Sequence, residues 1–322
     1  MNIAVTGSHG YIGSILCRLL KQSGHTVHAC DWEADYEDST KRNFHSLSRC
    51  SFDETHFVTT IINEKVDVIF HLAATSLVGP SFSNPITYFH NNTARTTSFV
   101  SKLVQRNWKG HIIFASSAAV YGNSHRDTSF SENDTPHPCN FYGRSKLLAE
   151  EVLNSASVYD IKVTSFRFFN VVGAYEELGE ETNDTHLLSR LSDAVIFGRS
   201  FEIYGDDYPT RDGTCIRDYI HVLDVCKAMM LAMNNDRSRS DVYNLGTSKG
   251  TSVKEVFQWF CRLTKTTPQV TIGERRLGDP FYLVADPTKF CDEYNFEYTH
   301  SSVEEMITST WNYYKEKFNY GV

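Results

Sequence analysis

The feature that most restricts the fold stands at the start of the chain, where a short apolar run, Asn2-Ile-Ala-Val-Thr6, passes directly into Gly7-Ser-His-Gly10-Tyr-Ile-Gly13. An apolar repeat of helical period follows at once, carried by Ile12, Ile15, Leu16, Leu19 and Leu20. Strand, glycine-rich turn and helix in immediate succession predict the opening of a parallel sheet. Without Cβ atoms in the way, main-chain N–H groups and the helix N-terminus can approach a pyrophosphate. The next apolar run, Thr26-Val-His-Ala-Cys30, ends at Asp31. That is about 20 residues after the glycines, where a carboxylate accepts hydrogen bonds from ribose hydroxyls. Asp31 repels a 2′-phosphate and is followed by Trp32 rather than an arginine. The dinucleotide expected is therefore NAD, not NADP.

Strand and helix patterns alternate through the first half of the chain. Glu33 to Arg49 reads as a polar loop and Phe52 to Lys65 as a helix; Val66 to Leu72 is a buried strand running into Ala73-Ala74, small residues against which a cofactor can lie. Ser83 to Gln105 has helical periodicity and contains Asn91 and Asn92, which can either satisfy the backbone or reach a ligand. His111 to Ala115 is a strand, a helix follows Asn140 as its cap, and Ile161 to Phe168 is a further strand delivering Asn170 at its end. The alternation predicts an α/β fold, a Rossmann-type doubly wound parallel sheet. Beyond Asn170 it breaks into a loop over Gly173 to Thr185, a helix over His186 to Phe197 and a strand over Ser200 to Tyr204. Cys215 to Val222 is expected to be a strand that rejoins the first sheet. A helix to about Asn234, a strand over Val242 to Leu245, and helices over Val253 to Leu263 and Ser301 to Phe318 complete the chain. The expected division is an NAD-binding domain of residues 1–170 plus about 215–245. A smaller mixed α/β substrate lobe, 171–214 and 246–322, is interleaved with it.

The chemistry sits in two places. Tyr142 and Lys146 are four apart on a helix and share a face. A neighbouring cation lowers a phenol from its ordinary value of about 10 toward working pH, where it can act as general acid or base. Ser117, just past an apolar strand, falls at a carboxyl end, where open α/β sheets bind ligands. The formal net charge of −8 and the lack of a basic block argue against nucleic-acid or membrane partners. Eight scattered cysteines without a C-x-x-C pair read as free thiols, no metal is expected, and a cytoplasmic setting follows from the thiols and the apolar strand at the amino terminus.

Several motifs are similar to those of the extended short-chain dehydrogenase/reductase family. They are the glycine-rich start, His71-Leu-Ala-Ala74, Ser116-Ser-Ala-Ala-Val-Tyr-Gly122, Tyr142-x-x-x-Lys146, Arg167-Phe-Phe-Asn170, Arg217-Asp-Tyr-Ile-His-Val222, Tyr243-Asn-Leu-Gly246 and Arg276-Leu-Gly-Asp279. The insert from Tyr204 to Arg217 resembles that of the family's UDP-hexose 4-epimerases. The resemblance implies a catalytic set of Ser117, Tyr142 and Lys146. It implies NAD held by Gly7, Gly10, Tyr11, Ile12, Gly13, Asp31, Leu72, Ala73, Ala74 and Asn92, with Tyr142 and Lys146. For a UDP-sugar it implies Ser117, Asn170, His186, Leu187, Tyr204, Arg217, Tyr219, Arg276 and Asp279, the two arginines meeting the diphosphate. A homodimer through the Ser83–Gln105 and Tyr142–Ser157 helices is implied as well.

Related 4,6-dehydratases and decarboxylases carry an acid just after the strand serine or threonine, where this chain has Ala118 and Ala119. Leu283 stands where a tyrosine excludes N-acetylated sugars and a small residue admits them. An N-acetylhexosamine 4-epimerase or another nucleotide-sugar epimerase or dehydratase therefore stays open beside the hexose reading, with a non-catalytic dinucleotide sensor behind both. Cys50 stands where many members have an aspartate near the adenine.

Overall fold

The computed structural model describes residues 1–33, 44–123, 128–181, 185–234 and 240–321. In chain order the described strands begin with β1 (Asn2–Thr6), β2 (Thr26–Cys30), β3 (Ser46–Ser48), β4 (Val68–His71), β5 (His111–Ser117) and β6 (Lys162–Phe168). They continue with β7 (Asn170–Val172), β8 (Phe201–Tyr204), β9 (Ile216–His221), β10 (Asp241–Leu245), β11 (Gly250–Ser252), β12 (Val270–Gly273) and β13 (Tyr282–Leu283). The chain divides into two units. Met1–Val120, Asn140–Arg167 and Cys226–Tyr243 form the first, and Tyr121–Cys139, Phe168–Val225 and Asn244–Val322 form the second.

The large sheet runs β10-β6-β5-β4-β1-β2-β3 among the described residues. β1 pairs in parallel with β2 and β4, β2 with β3, and β4 with β5. Strands buried on both faces, such as Ile3-Ala-Val5 and Ile112-Ile-Phe114, are nearly continuous apolar runs because helices cover a parallel sheet on each side. The strand order reverses between β1 and β4, so the carboxyl ends at Thr6 and His71 flank the topological switch point where such sheets bind ligands. Phe57, Ile61, Phe99, Leu103, Phe114 and Leu153 join sheet and helices into one core, each contributing roughly 1.5–3 kcal/mol by burial.

The helix Phe141–Ser155 starts where expected. Asn140 Oδ1 accepts from the Gly143 N–H at 2.8 Å, a cap that contributes about 1 kcal/mol. The stretch expected to be one helix from Ser83 to Gln105 is three segments: α-helix Pro85–Tyr88, π-helix Phe89–Ala94 and α-helix Arg95–Gln105. The widened turn carries Asn91 and Asn92, in keeping with the habit of π segments to occur where side chains have a positional task.

Two expectations are corrected. Within the Glu33–Arg49 stretch, Ser46–Ser48 is an edge strand parallel to β2, while residues 34–43 lie outside the described residues. The strand expected to rejoin the first sheet does not. β9 belongs to a separate sheet in the second unit, antiparallel to β11 and parallel to β13 and β7. Every residue of β9 is buried, so its apolar pattern points to a sheet interior without saying which sheet, and its partners are only two or three residues long. The second unit's core gathers Leu188, Leu191, Phe201, Phe260, Ile307 and Trp311. No helix among the described residues is long and apolar enough to cross a membrane, and the cysteines are free thiols.

Candidate active site

At the switch point there is no room for side chains on two of the three glycines. Gly7 leaves β1 at φ +71°, and a Cβ there would lie 2.8 Å from Ala73 N; one on Gly13 would lie 2.0 Å from Gly7 O. Gly10 differs, since a Cβ on it would meet only Gly7 O at 3.4 Å, leaving its outer side open to a ligand. Gly10 is also the N-cap of the helix Tyr11–Gln22 and has no side chain to close it. The N-terminal N–H groups, including those of Ile12 and Gly13, therefore favour negative charge. Asp31 lies beside this turn, its Oδ2 accepting from His9 N at 3.0 Å and its Oδ1 from Glu33 N at 3.1 Å. This cradle fits the diphosphate and ribose of a dinucleotide.

The facing segment Leu72–Ala74 is held from behind. Thr6 Oγ1 accepts from the N–H groups of Leu72 and Ala73, both at 3.2 Å, and donates to His71 Nδ1 at 2.9 Å. His71 Nε2 donates to Thr96 Oγ1 at 3.0 Å, and Thr96 donates to Asn92 O at 2.8 Å. His71 stays neutral because burial, with Lys146 nearby, pushes its pKa down to about 3. Asn92 is buried and bound to the backbone: Oδ1 accepts from Thr75 N at 2.8 Å, and Nδ2 donates to Thr75 O at 3.0 Å and Ser145 Oγ at 2.9 Å. These contacts, two to the Thr75 backbone and one to the Ser145 side chain, tie the loop after β4 to the Tyr142 helix.

Ser117 is the last residue of β5. Its Oγ accepts from Ala119 N at 3.2 Å, and its hydroxyl lies near enough to the Tyr142 phenol to favour the phenolate. The expectation that Lys146 would lower the phenol is corrected. Burial raises the Tyr142 pKa, the nearby Ser117 hydroxyl works against that rise, and Tyr88 adds to it. The Tyr88 ring lies edge-on at 6.3 Å. Lys146 is itself buried, with Nζ 4.3 Å from the Phe114 ring centroid. Burial pushes its pKa down to about 7 against the pull of Glu150. Desolvation acts on both groups, so the lysine is no permanent cation.

Beneath this set lies an anchor that the motif reading did not include. Arg167 donates from Nε to Glu150 Oε1 at 3.1 Å and from Nη2 to Oε2 at 2.8 Å, and Ser116 Oγ donates to the same carboxylate. All three side chains are buried. The signal was present in the spacing, since Tyr142, Lys146 and Glu150 recur every four residues along one helix face.

In the second unit, Arg217 is buried and forms an ion pair with Asp279. Burial opposes its charge, yet the Asp279 carboxylate holds it firmly protonated. Leu283 is its neighbour in register across β13 and β9. Asn170 opens β7 opposite Tyr219, a buried tyrosine whose pKa burial pushes well up. The Arg276 guanidinium lies 4.0 Å from the Tyr204 ring centroid and donates to Thr185 O at 3.1 Å; Arg190 lies 4.6 Å from the same ring. His186 and Leu187 begin the helix Leu187–Ile196, with His186 bonded to Glu180.

The family model of the NAD dependent epimerase/dehydratase family matches residues 3–246. The chain belongs to this family. Its relatives there include the UDP-glucose 4-epimerase of Lactobacillus helveticus, 35% identical over 323 residues that cover 98% of this chain and 97% of that protein. Among solved structures, it is similar to a UDP-glucose-4-epimerase from Stenotrophomonas maltophila with bound NAD and formylated UDP-arabinopyranose. That match has a TM-score of 0.92 and 30% identity over 99% of both chains. The UDP-Glc/GlcNAc 4-epimerase from Campylobacter jejuni superposes with a TM-score of 0.81 and 33% identity, covering 98% of this chain and 99% of that one. The family's large parallel sheet, with its reversal of strand order, is thus the fold of this chain.

Proposed function

We propose that the protein is an NAD-dependent 4-epimerase interconverting UDP-glucose and UDP-galactose through a transient 4-keto sugar. The observation that carries this reading is Ser117 at a sheet's carboxyl end beside the Tyr142 phenol, with Lys146 one helical turn from the tyrosine. Tyr142 removes the proton of the 4-hydroxyl and later returns it. Ser117, beside the phenol, holds the same sugar oxygen and shortens the proton's path. Burial disfavours the phenolate, and the nearby Ser117 hydroxyl works against that penalty. NAD, held by Gly7, Gly10, Gly13, Asp31 and the Leu72–Ala74 segment, supplies hydride acceptance and return when bound. No net oxidation results, so one cofactor molecule serves successive turnovers.

Arg217 and Arg276 are assigned to the diphosphate, which their guanidinium groups meet by charge-assisted hydrogen bonds. Asn170, His186, Leu187, Tyr204, Tyr219 and Asp279 are assigned to the rest of the nucleotide sugar. Ala118 and Ala119 offer no acid to a leaving 6-hydroxyl, which argues against dehydration. Leu283, beside Arg217, is smaller than tyrosine, and this favours a second reading in which N-acetylhexosamines are also accepted. The proposal includes a cytoplasmic enzyme and a homodimer. Exposed Ile86 and Leu148, on the helices assigned to pairing, support the latter.

Purified protein incubated with UDP-galactose, and separately with UDP-N-acetylgalactosamine, without added cofactor, tests the reading. The 4-epimer is the expected product. A 4-keto-6-deoxy sugar would contradict it, as would no reaction even after NAD is added.

A further inference from the structure

On the first unit, His28, His45 and Glu64 bring two imidazoles and a carboxylate together, with one ligand atom of each within 4.8 Å of the others. None belongs to the cofactor cradle or the catalytic set. His28, in mid β2, is fully buried; His45 and Glu64 are exposed. His28 Nδ1 is hydrogen-bonded to Ser46 Oγ at 2.8 Å, whereas its Nε2 is buried without a hydrogen-bond partner. A buried polar atom without a partner bears its desolvation penalty uncompensated, so this nitrogen calls for an explanation. The His45 ring stands edge-on to His28 at 5.1 Å. Glu64 caps the helix Thr55–Asn63 and is pinned through its carbonyl, which accepts from Asn2 Nδ2 at 2.8 Å.

We propose that His28, His45 and Glu64 form a binding site for a divalent transition-metal ion, with zinc as the ion that fits best. Two imidazole nitrogens and one carboxylate oxygen are a recurrent three-ligand set for zinc, with water completing the tetrahedron. Bonds of roughly 2.0–2.2 Å place tetrahedral ligand atoms about 3.3 Å apart. The exposed side chains of His45 and Glu64 close that difference by rotation, while buried His28 stays in place. A metal at Nε2 would set the ring proton on Nδ1, where it can donate to Ser46 Oγ, the outer-shell arrangement usual for metal-bound histidines. The ion would join β2, the approach to β3 and the end of the helix Thr55–Asn63, and its effect is on stability rather than on the sugar chemistry.

The test uses the full chain without a histidine tag. Zinc is titrated in by calorimetry at neutral pH, and the cobalt complex is examined by absorption. One ion per chain is expected, with a melting temperature that rises with zinc concentration by mass action. His45→Ala and Glu64→Gln, both at exposed positions, should each weaken binding by about tenfold or more while leaving the metal-free melting temperature and epimerisation unchanged. The cobalt spectrum should lack intense thiolate charge transfer. No zinc binding, binding unaffected by either substitution, or a strong thiolate band pointing to the cysteines would overturn the assignment.

Discussion

Arg167 grips Glu150 through both carboxylate oxygens, at 3.1 Å and 2.8 Å, and both side chains are buried on the helix face that carries Tyr142 and Lys146. The pair fixes that helix against β6, and the Glu150 charge draws the Lys146 pKa upward against burial.

Glu150→Ala should strip a buried guanidinium of its two-pronged carboxylate partner and cost about 3–5 kcal/mol of stability in denaturant unfolding. Replacing both partners, Glu150→Leu with Arg167→Met, should recover most of that loss. With the carboxylate gone from either variant, Lys146 should titrate lower still. This is read as a pH–rate profile displaced to lower pH.

Lys146→Met should stabilise the protein while removing activity. With a folded pKa of about 7 against an ordinary value of about 10.4, the lysine binds fewer protons folded than unfolded between those limits. Wild-type stability from this group therefore rises with pH across that window, and below it the burial penalty is fully present. The gain from Lys146→Met should be about 2 kcal/mol near pH 6 and shrink as pH climbs toward 10. Thermal unfolding at several pH values checks this; a gain that grew with pH would contradict the assigned shift.

Gly13→Ala forces a Cβ to within 2.0 Å of Gly7 O. Such overpacking costs roughly 1–3 kcal/mol, and the Gly7–Gly13 turn must shift to relieve it. Fluorescence of bound dinucleotide should fall sharply, with a matching drop in melting temperature. Gly10→Ala meets no such clash, so its effect should fall on cofactor binding with little change in folding.

Leu283→Tyr should leave UDP-galactose turnover within a few-fold and suppress turnover of UDP-N-acetylgalactosamine. Comparing kcat/KM for the two sugars reads this directly. Equal losses for both would remove Leu283 from the specificity reading.

Much of the first unit could be read from the sequence because β1, β2, β4, β5 and β6 are largely apolar runs of four to seven residues, whereas the three-residue β3, Ser-Leu-Ser, shows no such pattern. The glycine turn, the Asn140 cap and the four-residue spacing of Tyr142 and Lys146 are local chemistry. The second unit was less legible. β11 and β13 are three and two residues long, too short for any period to show. β9 is buried throughout and so does not reveal its sheet. Electrostatics was misjudged for a different reason, because spacing places a lysine near a tyrosine but says nothing of the desolvation that raises one pKa and lowers the other. Arg217 could be assigned to an anion from its motif, whereas its ion pair with Asp279, 62 residues away, belongs to tertiary structure.

The central claim is that the C4 hydrogen leaves as hydride and returns to the same carbon, with Tyr142 moving only the hydroxyl proton. Conversion of UDP-galactose deuterated at C4, followed by mass spectrometry of the UDP-glucose formed, tests it most directly. Full retention of deuterium at C4, with turnover abolished in Tyr142→Phe, is the predicted result. Loss of deuterium to water, or undiminished turnover in the phenylalanine variant, would contradict it.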